Sequence, residues 1–304
     1  YVSDFVNEKR NKIAQKAPLD LVLCNVNDGG CGLLQLKHTV SHEQMYRNYW
    51  YRSGMNKMMT EELGGIAKKI ESLINFKPGD FVIDIGANDG TLLRGYSHPE
   101  TKRTGFEPAR NLRQYNKVGT HKVLNDFFNY AAWKDNFGKT KAKAITAIAM
   151  FYDLDNPNKF VGDVVKCLDK DGVFIIQMSY LPSMLSQNAF DNICSEHLEY
   201  YSLLSLENLL KRHDLEVFNV ELNDVNGGSF RIYIKHKGAG KKLNIPKGTA
   251  KRVANLRKLE KKMGLNDIAV YNQFMKRVNR LREQLVSFIK NEVAAGKKIH
   301  VYGA

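Results

Sequence analysis

No apolar run in this chain approaches the ~20 residues that a membrane-spanning helix requires, so a spanning helix is not expected. No secretory signal opens it. Cysteine is scarce, 4 in 304 residues, and the spacing of Cys24, Cys31, Cys167 and Cys194 does not form a disulfide framework. Such sparse use fits a reduced, cytoplasmic setting. Internal repeats and low-complexity tracts are absent. Acidic residues are the minority: 32 Asp+Glu stand against 46 Lys+Arg, a formal net charge of +14. The excess gathers between 237 and 300, where Lys241, Lys242, Lys247, Lys251, Arg252, Arg257, Lys258, Lys261 and Lys262 crowd together. Aromatic rings do not interleave with these charges as single-strand binding favours. A solvated helix face is therefore expected, rather than a nucleic-acid partner. An initiating Met is also lacking, and the chain is read as a fragment of a longer protein.

What is present is ordinary globular composition, 43% apolar and 26% charged, at a length that suits two or three modules. Residues 21–23 and 33–36 read as short strands around the loop Asn27-Asp28-Gly29-Gly30, with Cys24 and Cys31 at its ends. That unit is either a metal knuckle or a plain hairpin. An aromatic stretch, Tyr46 to Ser53, follows. Residues 60–74 form a helical pattern with Leu63, Ile66, Ile70 and Leu73 on one face. From Phe76 onward, strands at 81–85, 103–106, 122–124, 144–149 and 173–177 alternate with helices, which implies a parallel sheet covered on both faces. Strands at 215–221 and 230–236 around a turn then give an antiparallel edge. Residues 250–296 are helical with a break near Gly264, and 299–301 begin a new strand. The fold class expected is α/β, a doubly wound Rossmann-like sheet with a hairpin edge.

The strongest chemical signal is Asp84-Ile85-Gly86-Ala87-Asn88-Asp89-Gly90 at the end of an apolar strand. Gly86 has no Cβ, so a ligand can approach its backbone closely. The turn sits at the carboxyl end of a strand, where open α/β sheets bind ligands. The glycine spacing is not the dinucleotide G-x-G-x-x-G. Glu107, at the end of the next strand, is placed to accept both hydroxyls of an adenosine ribose. The alternative is a tight structural turn with an N-cap near Asn88. Asp126 and Phe127 follow the third strand, as contacts for an adenine amine and ring or as a helix cap.

This arrangement resembles the class I methyltransferase fold. Phe190-Asp191-Asn192-Ile193-Cys194-Ser195-Glu196-His197 and Asn226-Gly227-Gly228-Ser229-Phe230-Arg231 resemble the Glu-His and Gly-Gly motifs of the zinc-containing sugar C-methyltransferase family, which acts on nucleotide-linked keto-hexoses. The resemblance covers nearly the whole chain. It implies S-adenosylmethionine as cofactor, held by Asp84, Gly86, Ala87, Asn88, Gly90, Glu107, Asp126, Phe127, Met150, Phe151 and Ser53. It implies His197 as the base, oriented by Glu196, with Tyr51 and Glu199 as competitors. Tyr49, Tyr152, Asn226, Gly227, Gly228 and Arg231 would hold a nucleotide-diphosphate sugar, although Asn226-Gly227-Gly228 is equally readable as a plain turn. A structural zinc would sit on Cys24 and Cys31, whose separation exceeds the family's usual spacing. Cys194 stands where the family has Tyr, so no phenol role transfers there.

The expected organisation is a zinc-binding module at 1–45, an aromatic segment and linker helix at 46–75, a methyltransferase core at 76–240, and at 241–304 a helical segment leading into a third, α/β domain that begins at Val301-Tyr302-Gly303-Ala304. Two rivals fit part of this pattern: an O- or N-methyltransferase on a sugar or other small metabolite, and a nonenzymatic nucleic-acid-binding protein.

Overall fold

The computed structural model describes residues 17–300. Its strands are β1 (Leu21–Leu23), β2 (Leu34–Leu36), β3 (Phe81–Ile85), β4 (Lys102–Phe106), β5 (Lys122–Leu124), β6 (Ala142–Ile148), β7 (Leu168–Ser179), β8 (Glu199–Tyr200), β9 (Leu215–Asn223) and β10 (Ser229–His236). Seven of them form one sheet in the order β5-β4-β3-β6-β7-β10-β9. Neighbours are parallel from β5 to β7, and β10 runs antiparallel to both β7 and β9. The chain leaves β3 toward β4 on one side and returns to β6 on the other. The carboxyl end of β3 is therefore a topological switch point, where such sheets open a crevice.

Burial on both faces explains the near-continuous apolar strands. The helix Lys57–Leu73 covers one face with Leu63, Ile66, Ala67, Ile70 and Leu73. Each fully buried Leu or Ile there contributes about 1.5–3 kcal/mol relative to exposure. Asn56 caps the start, its side chain accepting from Met59 N–H at 3.2 Å. The helix Pro157–Cys167 covers the opposite face with Phe160, Val161 and Val164. Asn156 is its cap, accepting from Lys159 N–H at 2.9 Å, and Pro157 follows at the first helical position.

The N-terminal hairpin is as expected, but its partner was not visible in the sequence. β2 pairs antiparallel with β8, giving a second sheet of three strands, β1-β2-β8. This fastens the hairpin directly behind the segment that carries Glu196 and His197. The 250–296 pattern resolves into the helices Thr249–Met263 and Ile268–Ala294, broken at Gly264, whose φ of 68° suits glycine. The expected strand at 299–301 is not formed over its described part: Ile299 and His300 are irregular, and Val301 onward lies outside the described residues. Among the described residues, no helix is long and apolar enough to cross a membrane. Part of the basic run has structural partners: Arg257 pairs with Glu207, Arg252 donates to Asn219 Oδ1, and Lys242 pairs with Asp171.

Candidate active site

The turn after β3 is built by positive φ angles: Gly86 at 71°, Asn88 at 49° and Gly90 at 82°. A Cβ on Gly86 would stand 3.2 Å from Met150 Cγ. The backbone amides of Gly86 and Ala87 both donate to Phe106 C=O, at 2.9 and 3.0 Å, closing the turn against β4. Asn88 is no helix cap: Gly90 holds that position before the helix Thr91–Arg94. The Asn88 side chain instead donates to Tyr51 C=O and accepts from Ser53 N–H, both at 3.0 Å. Asp89 accepts from Gly54 N–H at 2.9 Å. The aromatic segment is thereby tied down over the turn.

Glu107 is buried, and its two oxygens accept from Asn88 N–H at 2.7 Å and Ala109 N–H at 2.8 Å. Burial pushes its carboxyl up to about 7 while these bonds pull the other way. Each oxygen keeps a lone pair for a further donor. Asp84 is likewise raised to about 7 by burial and accepts from Thr146 Oγ1 at 2.6 Å.

A cleft of about 1030 Å³ opens from this turn, large enough for two small ligands. Asp84, Gly86, Ala87, Asn88, Glu107, Ser53, Phe127 and Met150 line it, as do Tyr49, Tyr51, Tyr152, Glu196, His197 and Asn226. Thus the glycine turn and the Glu-His pair, 107 positions apart from Asp89 to Glu196, share one space.

Several expected residues stand elsewhere. Phe151 is fully buried against Phe160, Phe174 and Tyr201, so it belongs to the core rather than to a cofactor contact. Arg231 is buried in β10, paired with Glu62 and donating to Gln177 Oε1 at 2.7 Å, which makes it a sheet brace away from the cleft lining. Asp126 is turned to Arg47 at 3.1 Å, and the same guanidinium lies over the Phe127 ring at 4.7 Å. Gly90 supports the turn from behind, close to Arg94 and Asn116. Gly227 and Gly228 are turn residues between β9 and β10, with φ of 77° and 118°, and only Asn226 of that motif reaches the cleft.

His197 is held through its ring. Nδ1 lies 2.9 Å from Asn192 C=O, which selects the Nδ1–H tautomer and leaves Nε2 as the basic nitrogen. A backbone carbonyl thus holds the ring, and the Glu196 charge acts on it as well. Burial lowers the imidazole pKa, and the Asn192 bond and the Glu196 charge partly offset this. The imidazole also meets the Tyr152 ring at 4.4 Å, edge-on.

Glu199, the competing base, is buried and raised to about 10, chiefly by that burial. It is protonated at neutral pH and cannot accept a proton there. With a folded pKa above the unfolded ~4.3, the native state binds the extra proton. The stabilisation is full below about pH 4 and is lost as pH rises toward 10, at about 1.4 kcal/mol per pH unit. Glu199→Gln, which cannot ionise when unfolded, should melt higher than wild type at pH 8 and level with it near pH 4. Scanning calorimetry at both pH values checks this, and a variant that melts lower at pH 8 would refute it.

Cys24 and Cys31 sit at the ends of the hairpin loop as free thiols, with Cys31 N–H donating to Cys24 Sγ at 3.2 Å. Burial raises the Cys31 pKa. Among the described residues no three His, Cys, Asp or Glu side chains gather as a metal site needs. The two thiols do not by themselves fit the four-ligand zinc that was expected.

The sequence pattern missed Tyr46, Asp153 and the pair His42–Asp155, whose Nδ1 and Oδ2 are 3.3 Å apart; all four line the cleft. The segment Met150–Leu154 after the fourth strand of the parallel series was expected on the catalytic face, but within it no role was assigned to Asp153.

The strand order, the antiparallel edge and a cleft at the β3 switch point define a class I methyltransferase fold. Residues 41–220 match the family described as a methyltransferase domain, and the chain belongs to that family. Residues 224–304 match the C-methyltransferase C-terminal domain. The C-methyltransferase NovU of Streptomyces niveus is 27% identical over 288 residues, which cover 94% of this chain and 66% of that protein. The chain thus spans slightly less than two thirds of that relative. Among solved structures, a complex of the Haloferax volcanii Trm112 methyltransferase activator with a methyltransferase aligns at TM-score 0.47 and 15% identity, over 60% of this chain and 94% of that one. An O-methyltransferase family protein from Burkholderia thailandensis aligns at TM-score 0.44 and 14% identity, over 60% and 59%.

Proposed function

We propose that this chain is an S-adenosylmethionine-dependent C-methyltransferase whose substrate is a nucleotide-linked keto-sugar, with His197 as general base. The observation that carries the reading is the cleft that the Gly86 turn, the Glu107 carboxyl and His197 line together. Glu107 would receive the ribose hydroxyls on its remaining lone pairs, and Gly86 would pass the methionine half without a Cβ in the way. Bound S-adenosylmethionine would supply an electrophilic methyl group. The protein's own part is to hold the substrate, exclude water and take a proton at His197 Nε2 from the carbon beside the carbonyl. The net positive charge favours a diphosphate-bearing substrate. A zinc at Cys24 and Cys31 would need two donors that the described residues do not supply, and the reaction calls for none.

The test is calorimetry. Wild type should bind S-adenosylmethionine, and Glu107→Ala should bind it about 1.5–3 kcal/mol more weakly, the range for a hydrogen bond to a charged group. Unchanged affinity in the variant would remove Glu107 from the site, and no binding by wild type would defeat the reading.

A further inference from the structure

The turn after β6 carries a carboxyl that this mechanism leaves unused. Asp153 closes the short 3-10 turn Phe151–Asp153 and lines the cleft. Its Oδ1 is shielded from solvent and has no hydrogen-bond partner. The Tyr46 hydroxyl, from the facing helix His42–Tyr46, lies within hydrogen-bonding reach of this carboxyl and is likewise shielded from solvent. A buried carboxyl oxygen left unsatisfied in a ligand-sized cleft calls for a partner that arrives with the ligand. Burial, and after it the neighbouring Glu196 charge, raise the Asp153 carboxyl well above its ordinary value against the pull of the Tyr46 hydroxyl, which favours the neutral acid and so a second donor beside the phenol. The base stands on the same wall. Leu198 N–H donates to Tyr152 C=O at 2.9 Å, which fastens the His197 loop to the Tyr152-Asp153 turn.

We propose that Asp153 and Tyr46 form an oxyanion site, both donating hydrogen bonds to the substrate's carbonyl oxygen while the adjacent carbon loses its proton to His197. The inference rests on the enolate reading above. In that step the C–H bond breaks, its electron pair becomes the C=C bond of the enolate, and the carbonyl π pair moves onto oxygen. The proton goes to His197 Nε2. Asp153 and Tyr46 keep their own protons and bind the developing oxyanion more strongly than the ketone, which is the condition for lowering a barrier. A neutral carboxylic acid beside a phenol is a donor pair suited to an enolate oxygen.

Asp153→Asn retains a neutral donor of the same shape, whereas Asp153→Ala removes it. The probe is a thymidine-diphosphate-linked keto-hexose, followed by deuterium entry from solvent at the carbon beside its carbonyl. Asp153→Ala should slow exchange by about 10²–10³-fold, the usual loss of one oxyanion donor. Asp153→Asn should stay within about 10-fold of wild type, with S-adenosylmethionine affinity and Tm unchanged as controls on folding. Tyr46→Phe should slow exchange without weakening cofactor binding. Exchange by Asp153→Ala at the wild-type rate overturns the proposal. So does an Asp153→Asn variant as slow as Asp153→Ala, because the role would then require a charge. A wild-type protein that binds the probe yet exchanges no C–H overturns the enolate reading itself, and the oxyanion site with it.

Discussion

His197→Asn should lower turnover by about 10²–10⁴-fold, the contribution of a positioned general base, while S-adenosylmethionine affinity and Tm stay at wild-type values. The Asn side chain can donate to Asn192 C=O as the imidazole Nδ1 does, so the loop keeps its anchor. What it lacks is a basic nitrogen where Nε2 stood. Burial in the cleft lowers the imidazole pKa and thereby keeps the base neutral at working pH. Deuterium exchange at the substrate carbon without methyl donor isolates this step from methyl transfer. If the variant exchanges as fast as wild type, the base lies elsewhere. Glu199 is then no substitute, because it is already protonated, and Tyr51 is the next residue to change.

Glu260→Ala should cost about 3 kcal/mol of stability, a sum of a lost helix cap and unsatisfied buried donors. Glu260 is fully buried on the helix Thr249–Met263 and reaches into the core. Its oxygens accept from the first amides of the helix Leu203–Lys211, Leu203 N–H at 2.7 Å and Leu204 N–H at 2.8 Å. Tyr180 Oη donates to it at 2.8 Å. Ser202 caps the same helix by accepting from Ser205 N–H at 3.1 Å, so the carboxylate satisfies the amides that the serine leaves over. A negative charge at a helix N-terminus is favourable in its own right. With Ala at 260, two amides and one phenol lose their partner in a dry interior. At roughly 2–4 °C per kcal/mol, Tm should fall by about 6–12 °C. A fall under about 2 °C by scanning calorimetry would mean that water replaces the carboxylate. Tyr180 also lines the small cavity next to His197, so part of the active-site wall rests on this C-terminal helix.

Most of the parallel sheet was legible because its signals are local. The run Phe81–Ile85 ends in Asp-x-Gly and turns, and burial on both faces demands just such an apolar strand. Leu63, Ile66, Ile70 and Leu73 fell on one face by period alone, and all are buried. The site residues were harder. Phe151 and Arg231 sit inside segments that resemble functional ones, yet the 3-10 turn Phe151–Asp153 sets Phe151 into the core, and Arg231 serves Glu62 and Gln177. Nothing in a motif tells which face its side chains will take.

The sequence by itself determined the order along the chain of the strands of the main sheet, the glycine turn after β3 and the acid that follows β4, because backbone conformation and amphipathic period are written within a few residues. Tertiary structure alone decided which distant groups meet. β2 found β8, and so set the cysteine hairpin behind the Glu-His loop. The helix His42–Tyr46 brought the Tyr46 hydroxyl beside Asp153 in the cleft wall. Glu260 found a helix start 56 and 57 positions earlier in the chain. Such pairings depend on register, crossing and the need to satisfy buried polar groups, and those are properties of the folded whole.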